Sequence, residues 1–203
     1  MTLTFNLPDG FRFEEAGHSY WIHDKQIPGV TSAIAAANLY PFLASRGEVT
    51  DAMLRGSIVH QALDDFYKGT LEQIDPEFEG YVESERRFVE DTGFRMLASE
   101  VPLCHSSLLY GCTPDRIGIL GEKLVLIDSK TGGECDAYHV QLAANFFAAI
   151  SLKIPLEAAY LLELKATGGR PRLIPNRDYG ECWEVFLAAL TCAKWRFNHV
   201  GNY

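Results

Sequence analysis

The order of patterns along the chain predicts an α/β (α+β) fold, a central mixed β-sheet flanked by helices. Amphipathic helical stretches come first, then a run of short strands, a helix, a further strand and a closing helix. The apolar period switches between 3.6 residues and the short alternating or continuous runs of strands. A length of 203 residues fits one domain. Residues 1–203 read as a single unit, in which a hairpin and helices over about residues 1–50 precede the core.

Residues 11–30, FRFEEAGHSYWIHDKQIPGV, predict a hairpin, because Tyr20 and Ile22 alternate with polar neighbours and Asp24-Lys25 suits a turn. Thr31 or Ser32 can cap a short helix through AIAAANL, and Pro41 opens a new element. Thr50 or Asp51 caps a stronger helix that ends at Gly69, with Leu54, Ile58, Ala62 and Phe66 along its apolar face. Residues 77–92 predict another amphipathic helix. Residues 94–104 and 106–112 read as strands, and YGCTPDRIGILGEKLVLIDSKTG, residues 110–132, as two more. Asp136 caps a helix from about 137 to 151. LEAAYLLELKA reads as a strand, RPRLIPN as an edge strand or loop, and residues from about 180 to 198 as the last helix.

The net charge of −9 argues against a passive DNA-coating protein, which would be basic. It leaves room for an enzyme whose acidic groups hold cations. No apolar run reaches the roughly 20 residues that span a bilayer, and no leader pattern opens the chain. A cytoplasmic protein with no membrane partner is expected. Cys104, Cys112, Cys135, Cys182 and Cys192 are odd in number and never spaced Cys-x-x-Cys, so reduced thiols are expected, and no zinc.

Residues 110–132 carry two aspartates in apolar runs. An unpaired buried charge is costly, so something must compensate it. A two-residue turn at Gly121-Glu122 has Gly first, which suits type II′. Folding there sets Leu120 opposite Lys123 and Asp115 opposite Asp128. Opposed residues share a face, and Lys130, two beyond Asp128, shares it too. Two carboxylates beside an ammonium call for a divalent cation with oxygen ligands, Mg²⁺ or Mn²⁺. A single bulge would undo this register. Each residue alone also has a purely structural reading: Asp115 as a turn residue after Pro114, Asp128 and Lys130 as a solvated strand end.

TPDRIG followed by VLIDSKTG resembles the Asp…Asp-x-Lys signature of the PD-(D/E)xK nucleases, and most of all their RecB-like exonuclease branch, often phage-encoded. The matching set runs in order from Gly56-x-x-x-His60 through Glu100, Gly111 and Asp115 to Asp128-Ser129-Lys130-Thr131 and Gln141. It spans about residues 51–150, and the opening HSYWIHDKQIPGVTSAI is similar to the hairpin of phage members. The resemblance implies a restriction-endonuclease-like core and a metal-dependent deoxyribonuclease, an exonuclease serving recombination, repair or phage replication. Its partners would be DNA and a phage recombination or replication protein.

By the same resemblance Asp115 and Asp128 bind the metal with the Ser129 carbonyl, and His60 adds a ligand. Glu100 binds metal or orients a water. Lys130 positions or activates the attacking water, and Gln141 orients Lys130 or the substrate. Phosphodiester hydrolysis suits these types, since a metal lowers the pKa of water and an ammonium stabilises phosphoryl charge. One position departs from the pattern: members commonly carry Tyr four residues after the Gln, and here Asn145 stands there. Some relatives hold an iron–sulfur cluster through one early and three late cysteines. Only Cys182 and Cys192 are late here, so no cluster is expected.

Other readings remain open. A catalytically silent DNA- or partner-binding module could share this fold, and a hydrolase of small phosphate esters could share this site. His60, Glu100 and Gln141 also suit an ordinary helix surface, a charged strand edge and a polar helix position. Gly56 costs its helix about 1 kcal/mol relative to Ala, which close approach of DNA or another element would explain. Lys165, Arg170, Arg172 and Arg177 form a basic loop that suits either DNA phosphates or solvent. KWRFNHV, residues 194–200, is expected to pack its aromatics on the core.

Overall fold

A computed structural model describes residues 3–40 and 46–199. Pro41 and Val200 lie outside them. The architecture is the expected mixed sheet with helices on both faces. Three short strands open the chain, β1 (Phe11–Glu14), β2 (Ser19–Ile22) and β3 (Lys25–Ile27), paired antiparallel in that order. Helices α1 (Val30–Ala36), α2 (Arg46–Lys68) and α3 (Pro76–Thr92) follow. Then come β4 (Arg95–Ser99), a small pair β5 (Leu103–Cys104) and β6 (Gly111–Cys112), β7 (Arg116–Leu120) and β8 (Lys123–Lys130). Helix α4 (Asp136–Ser151), β9 (Ala158–Glu163), β10 (Arg172–Pro175) and α5 (Tyr179–His199) complete it.

The main sheet has the order β10-β9-β8-β7-β4. Only β8 and β9 run parallel, joined by α4 as the crossover. Strand β8 is therefore central and buried on both faces, which explains the unbroken apolar run LVLI. Its side chains alternate between two cores. Leu124 and Leu126 pack with Val140, Leu161 and Phe186, on the side of α1, α4 and α5. Val125 and Ile127 pack with Val59, Leu63, Val82 and Phe88, on the side of α2 and α3. Carried onward, the same alternation puts Asp128 and Lys130 on the α4 face and Ser129 on the α2/α3 face.

The β7–β8 register is uninterrupted from Leu120↔Lys123 to Arg116↔Ile127, so Asp115 falls opposite Asp128. Positive φ occurs at Gly121 (62°) and not at Glu122, as a turn with Gly first requires. The one register shift in the main sheet lies between Met96 and Ala98 on β4, away from this hairpin.

Several details differ from expectation. Helix α2 starts at Arg46, so Thr50 and Asp51 lie inside it. Its buried face is Val59, Ala62 and Leu63, whereas Leu54 is 60% exposed. Ala62 and Phe66 of the expected face do pack on this core, but Leu54 does not, and Val59 and Leu63, outside that face, join them. Gly29 precedes α1 as its cap, while Ser32 at the third helical position accepts from Gly29 N. The β2–β3 turn is centred on His23-Asp24. Asp75 caps α3 and Cys135 precedes α4. Trp195 is 59% exposed and stacks on His199 rather than on the core. No helix among the described residues is long and apolar enough to cross a membrane.

Two helical glycines separate packing from propensity. A Cβ on Gly80 would lie 1.7 Å from the Ala166 carbonyl oxygen, whereas one on Gly56 would meet nothing within 4 Å. Gly80→Ala is expected to destabilise by about 1–3 kcal/mol through backbone overpacking. Gly56→Ala is expected to stabilise by about 0.5–1 kcal/mol through helix propensity. Urea denaturation of the two variants would show opposite shifts of the midpoint; shifts of the same sign would contradict the α3 contact.

Candidate active site

The C-terminal end of β8 meets the N-terminal end of β7, the middle of α2 and the first turns of α4. Asp115 and Asp128 are buried, 6% and 1% exposed. Asp115 Oδ2 accepts from the Ser129 backbone N–H at 2.6 Å. This short charge-assisted bond ties the start of β7 across to β8. Asp115 Oδ1 lies 3.4 Å from His60 Nδ1, and Glu100 Oε1 lies 3.6 Å from the same nitrogen. Donor atoms of His60, Glu100 and Asp115 all fall within 4.8 Å of one another, a group that could hold a metal ion.

His60 reaches the group from α2. Its Nε2 lies 3.2 Å from the Ser129 carbonyl oxygen. A carbonyl can only accept, so Nε2 carries hydrogen and Nδ1 is the nitrogen turned to the carboxylates. A metal-ligating histidine commonly has its other nitrogen fixed in this way. The negative charge of Asp115 raises the His60 pKa to about 9 against the opposing effect of burial, helped by Glu100. The Ser129 carbonyl, expected among the metal ligands, is thus engaged by His60.

Glu100 sits just beyond β4, not within a strand. Its φ of 48° is left-handed, an uncommon conformation for a residue with a Cβ. Two contacts hold the turn. Glu100 N–H donates to the Asp115 carbonyl at 3.0 Å, and Ser99 Oγ donates to Asp64 Oδ1 at 2.7 Å. The Glu100 side chain is 38% exposed and opens the group toward solvent.

Asp128 is engaged differently from the metal role expected of it. One oxygen meets the Lys130 ammonium, and the other accepts from Gln141 Nε2 at 3.4 Å. Lys130 also donates to Gln141 Oε1 at 3.4 Å, so the amide bridges carboxylate and ammonium. Burial, followed by the charge of Asp115, pushes the Asp128 pKa up. Burial pulls the Lys130 ammonium down, but Asp128 and Asp115 outweigh it and leave its pKa raised.

Two tyrosines escaped sequence reasoning. Lys130 Nζ sits 4.7 Å from the Tyr138 ring centre, a cation–π contact from the first turn of α4. Tyr40, after α1, lies within the electrostatic reach of Lys130 and Asp128, and its buried hydroxyl has no hydrogen-bond partner among the described residues. Tyr138 could have been found as the residue one turn before Gln141 on the same helical face. Nothing local marks Tyr40. Asn145 is buried one turn beyond Gln141, with neither amide atom paired among the described residues.

Of the basic candidates, each already meets a carboxylate. Lys165 pairs with Glu163 at 2.5 Å and Arg170 with Asp91 at 3.0 Å. Arg172 reaches Glu163 at 3.0 Å and Glu134 at 2.9 Å. Arg177 holds Glu134 at 2.6 Å and also Asp136. A phosphate would have to compete with these partners. A Cβ on Gly56 would meet nothing outside its own helix within 4 Å, so close packing among the described residues does not explain that glycine.

No protein family described by sequence matches the chain, and no curated protein matches it. Among solved structures, the chain is similar to the crystal structure of an alkaline exonuclease from Laribacter hongkongensis, at 17% identity and a TM-score of 0.39. That overlay covers 83% of this chain and 91% of the other. The same enzyme in complex with dAMP overlays at 18% identity and a TM-score of 0.38, with the same coverage. Likeness this loose assigns neither family nor activity.

Proposed function

We propose that the chain is a metal-dependent deoxyribonuclease that hydrolyses DNA phosphodiesters with Mg²⁺ or Mn²⁺. The observation that carries this reading is the convergence of His60, Glu100 and Asp115 beside the Asp128–Lys130 pair. The exonucleolytic mode rests on the ordered motif set from Gly56 to Gln141 and on its RecB-like resemblance.

The donor set fits the group it would hold. Carboxylate oxygens with one imidazole suit a small divalent cation, and no thiolate is among them. Asp115 and Asp128 repel each other, and a positive charge between them relieves that cost. Asp115, Glu100 and His60 Nδ1 would hold the cation, with Asp128 adjacent. When bound, it supplies a water of lowered pKa and neutralises charge on the phosphoryl oxygens.

The remaining work falls to the chain's own groups. Lys130 keeps its proton, because its raised pKa leaves it fully charged near neutrality. It therefore stabilises phosphoryl charge rather than acting as a base. Gln141 fixes Lys130 and Asp128 relative to each other through its two amide atoms. Glu100, the most exposed of the three groups that would hold the cation, would orient a water arriving from solvent.

Two outcomes follow from this geometry. With end-labelled single- and double-stranded DNA, cleavage should need Mg²⁺ or Mn²⁺ and stop with EDTA. Asp115→Asn, Asp128→Asn and Lys130→Ala should each lower kcat by roughly 100-fold or more. The Lys130→Ala loss should leave the pH profile in place, since this ammonium does not titrate near neutrality. Activity surviving these substitutions would remove the site assignment.

The second outcome concerns protons. A cation can use His60 Nδ1 only after that nitrogen loses its hydrogen. Mn²⁺ affinity should therefore climb by up to about tenfold per pH unit from pH 7 toward the His60 pKa of about 9. The metal-free fold shows the opposite sign. His60 has a raised pKa, so its ion pairs stabilise fully below its ordinary 6.5 and lose their effect as pH passes about 9. Calorimetric titration with Mn²⁺ at several pH values, on wild type and His60→Gln, would check this. A pH-independent affinity in wild type would exclude His60 as a ligand.

A further inference from the structure

A second set of charges lies behind the site, on the α2/α3 face of the sheet, and the chemistry above leaves it unused. Arg116 is 3% exposed and Glu85 is fully buried. Arg116 Nη2 lies 3.5 Å from Glu85 Oε2 and also donates to Ser129 Oγ. The guanidinium sits over the Tyr67 ring, 5.5 Å from its centre, and the Tyr67 hydroxyl donates to Glu85 Oε1. Around these groups the core is otherwise apolar, with Val59, Leu63, Val82, Phe88 and Ile127.

Folding alone gives little reason for such a set. A buried ion pair loses in desolvation what it gains in attraction, and apolar residues of similar size often serve stability as well or better. The set is also imperfect, because Arg116 Nε and Glu85 Oε2 lack hydrogen-bond partners. What distinguishes it is where it ends. Ser129 has all three of its polar groups committed: N–H to Asp115, carbonyl to His60 and hydroxyl to Arg116. It thereby links Asp115 and His60 to the buried cation through three separate groups.

We propose that Arg116, clamped by Glu85 and Tyr67, is a positioning residue that fixes Ser129 and through it the spacing of Asp115 and His60. This rests on the nuclease reading for its purpose but not for its geometry. Arg116 follows Asp115 in the chain and Ser129 follows Asp128, so the lock joins the two strands immediately beside the opposed carboxylates. With the hydroxyl of Ser129 released, the strand ends can part, and Asp115 and His60 lose their common reference.

The test compares wild type with the double variant Glu85→Leu/Arg116→Met, which replaces the pair by apolar groups. Its melting temperature is expected to stay near that of wild type. Its Mn²⁺ affinity should fall by roughly tenfold, and kcat on DNA should fall with it. In the metal-free protein, the Ser129 amide proton should lie far downfield in wild type, because of its 2.6 Å bond to Asp115, and move upfield in the variant. Retained stability with an unmoved Ser129 amide and Mn²⁺ affinity within twofold of wild type would overturn the proposal.

Should the double variant fail to fold, Ser129→Ala removes only the hydroxyl that receives Arg116. An unshifted amide and unchanged Mn²⁺ affinity in that variant would overturn the proposal equally. Wild type that binds Mn²⁺ but cuts no DNA would end the nuclease reading while the amide and the metal affinity still decide the role of Arg116.

Discussion

Two carboxylates opposed at the buried end of a hairpin cannot both stay ionised without compensation. Asp115 and Asp128 face this constraint because the β7–β8 register runs unbroken from the Gly121 turn. The surroundings answer it from every side. His60 faces Asp115, Lys130 faces Asp128, the Ser129 N–H donates to Asp115 and Gln141 donates to Asp128. These are the partners that reduce the cost of a buried charge. They do not remove it, since burial and Asp115 still push the Asp128 pKa upward. A site in this state has unspent attraction for a cation.

The alternation of β8 divides the labour. Asp128 and Lys130 point to the α4 face, where Gln141 and Tyr138 hold them. Ser129, one residue between, points to the opposite face and to Arg116. A strand buried on both sides can thus carry the groups that the nuclease reading uses on one face and their anchor on the other, with no loop between them. That is a stiffer arrangement than a site built on connecting segments. Asp115 sits one residue before β7, and Glu100 lies in a left-handed turn beyond β4 that the Ser99–Asp64 bond and the Asp115 carbonyl hold.

How much of this the sequence discloses depends on the range of the interaction. The hairpin is local: a glycine-first turn and a two-residue period are enough to set Asp115 against Asp128. Ordered motifs then point to His60, Glu100 and Gln141, and the structure brings all three to the same strand end. Helix faces are less legible. In α2 the apolar residues Leu54, Ile58, Val59, Ala62 and Leu63 allow two overlapping stripes, and only contact with α3 and the sheet selects Val59 and Leu63. Tyr40 and Glu85 are illegible, because their place depends on packing between elements far apart in sequence. The basic loop shows the same limit. Glu163 stands two residues before Lys165, but a row of cations in the sequence carries no sign of Glu134 and Asp91 beside it.

That pairing bears on how an acidic chain could take DNA as a substrate. An acidic protein gains little from general attraction to phosphate, and here the clustered cations of residues 165–177 are already occupied by carboxylates. On the nuclease reading, the attraction is local to the strand end, chiefly through a cation held by Asp115, Glu100 and His60, since Lys130 is itself paired with Asp128. Affinity and catalysis then draw on the same few charges. Substrate would be held firmly only where it can also be cut, and the long tracts away from the site would feel repulsion. Such a division favours turnover over coating, and it agrees with a site whose charges are buried, paired and anchored from behind by Arg116.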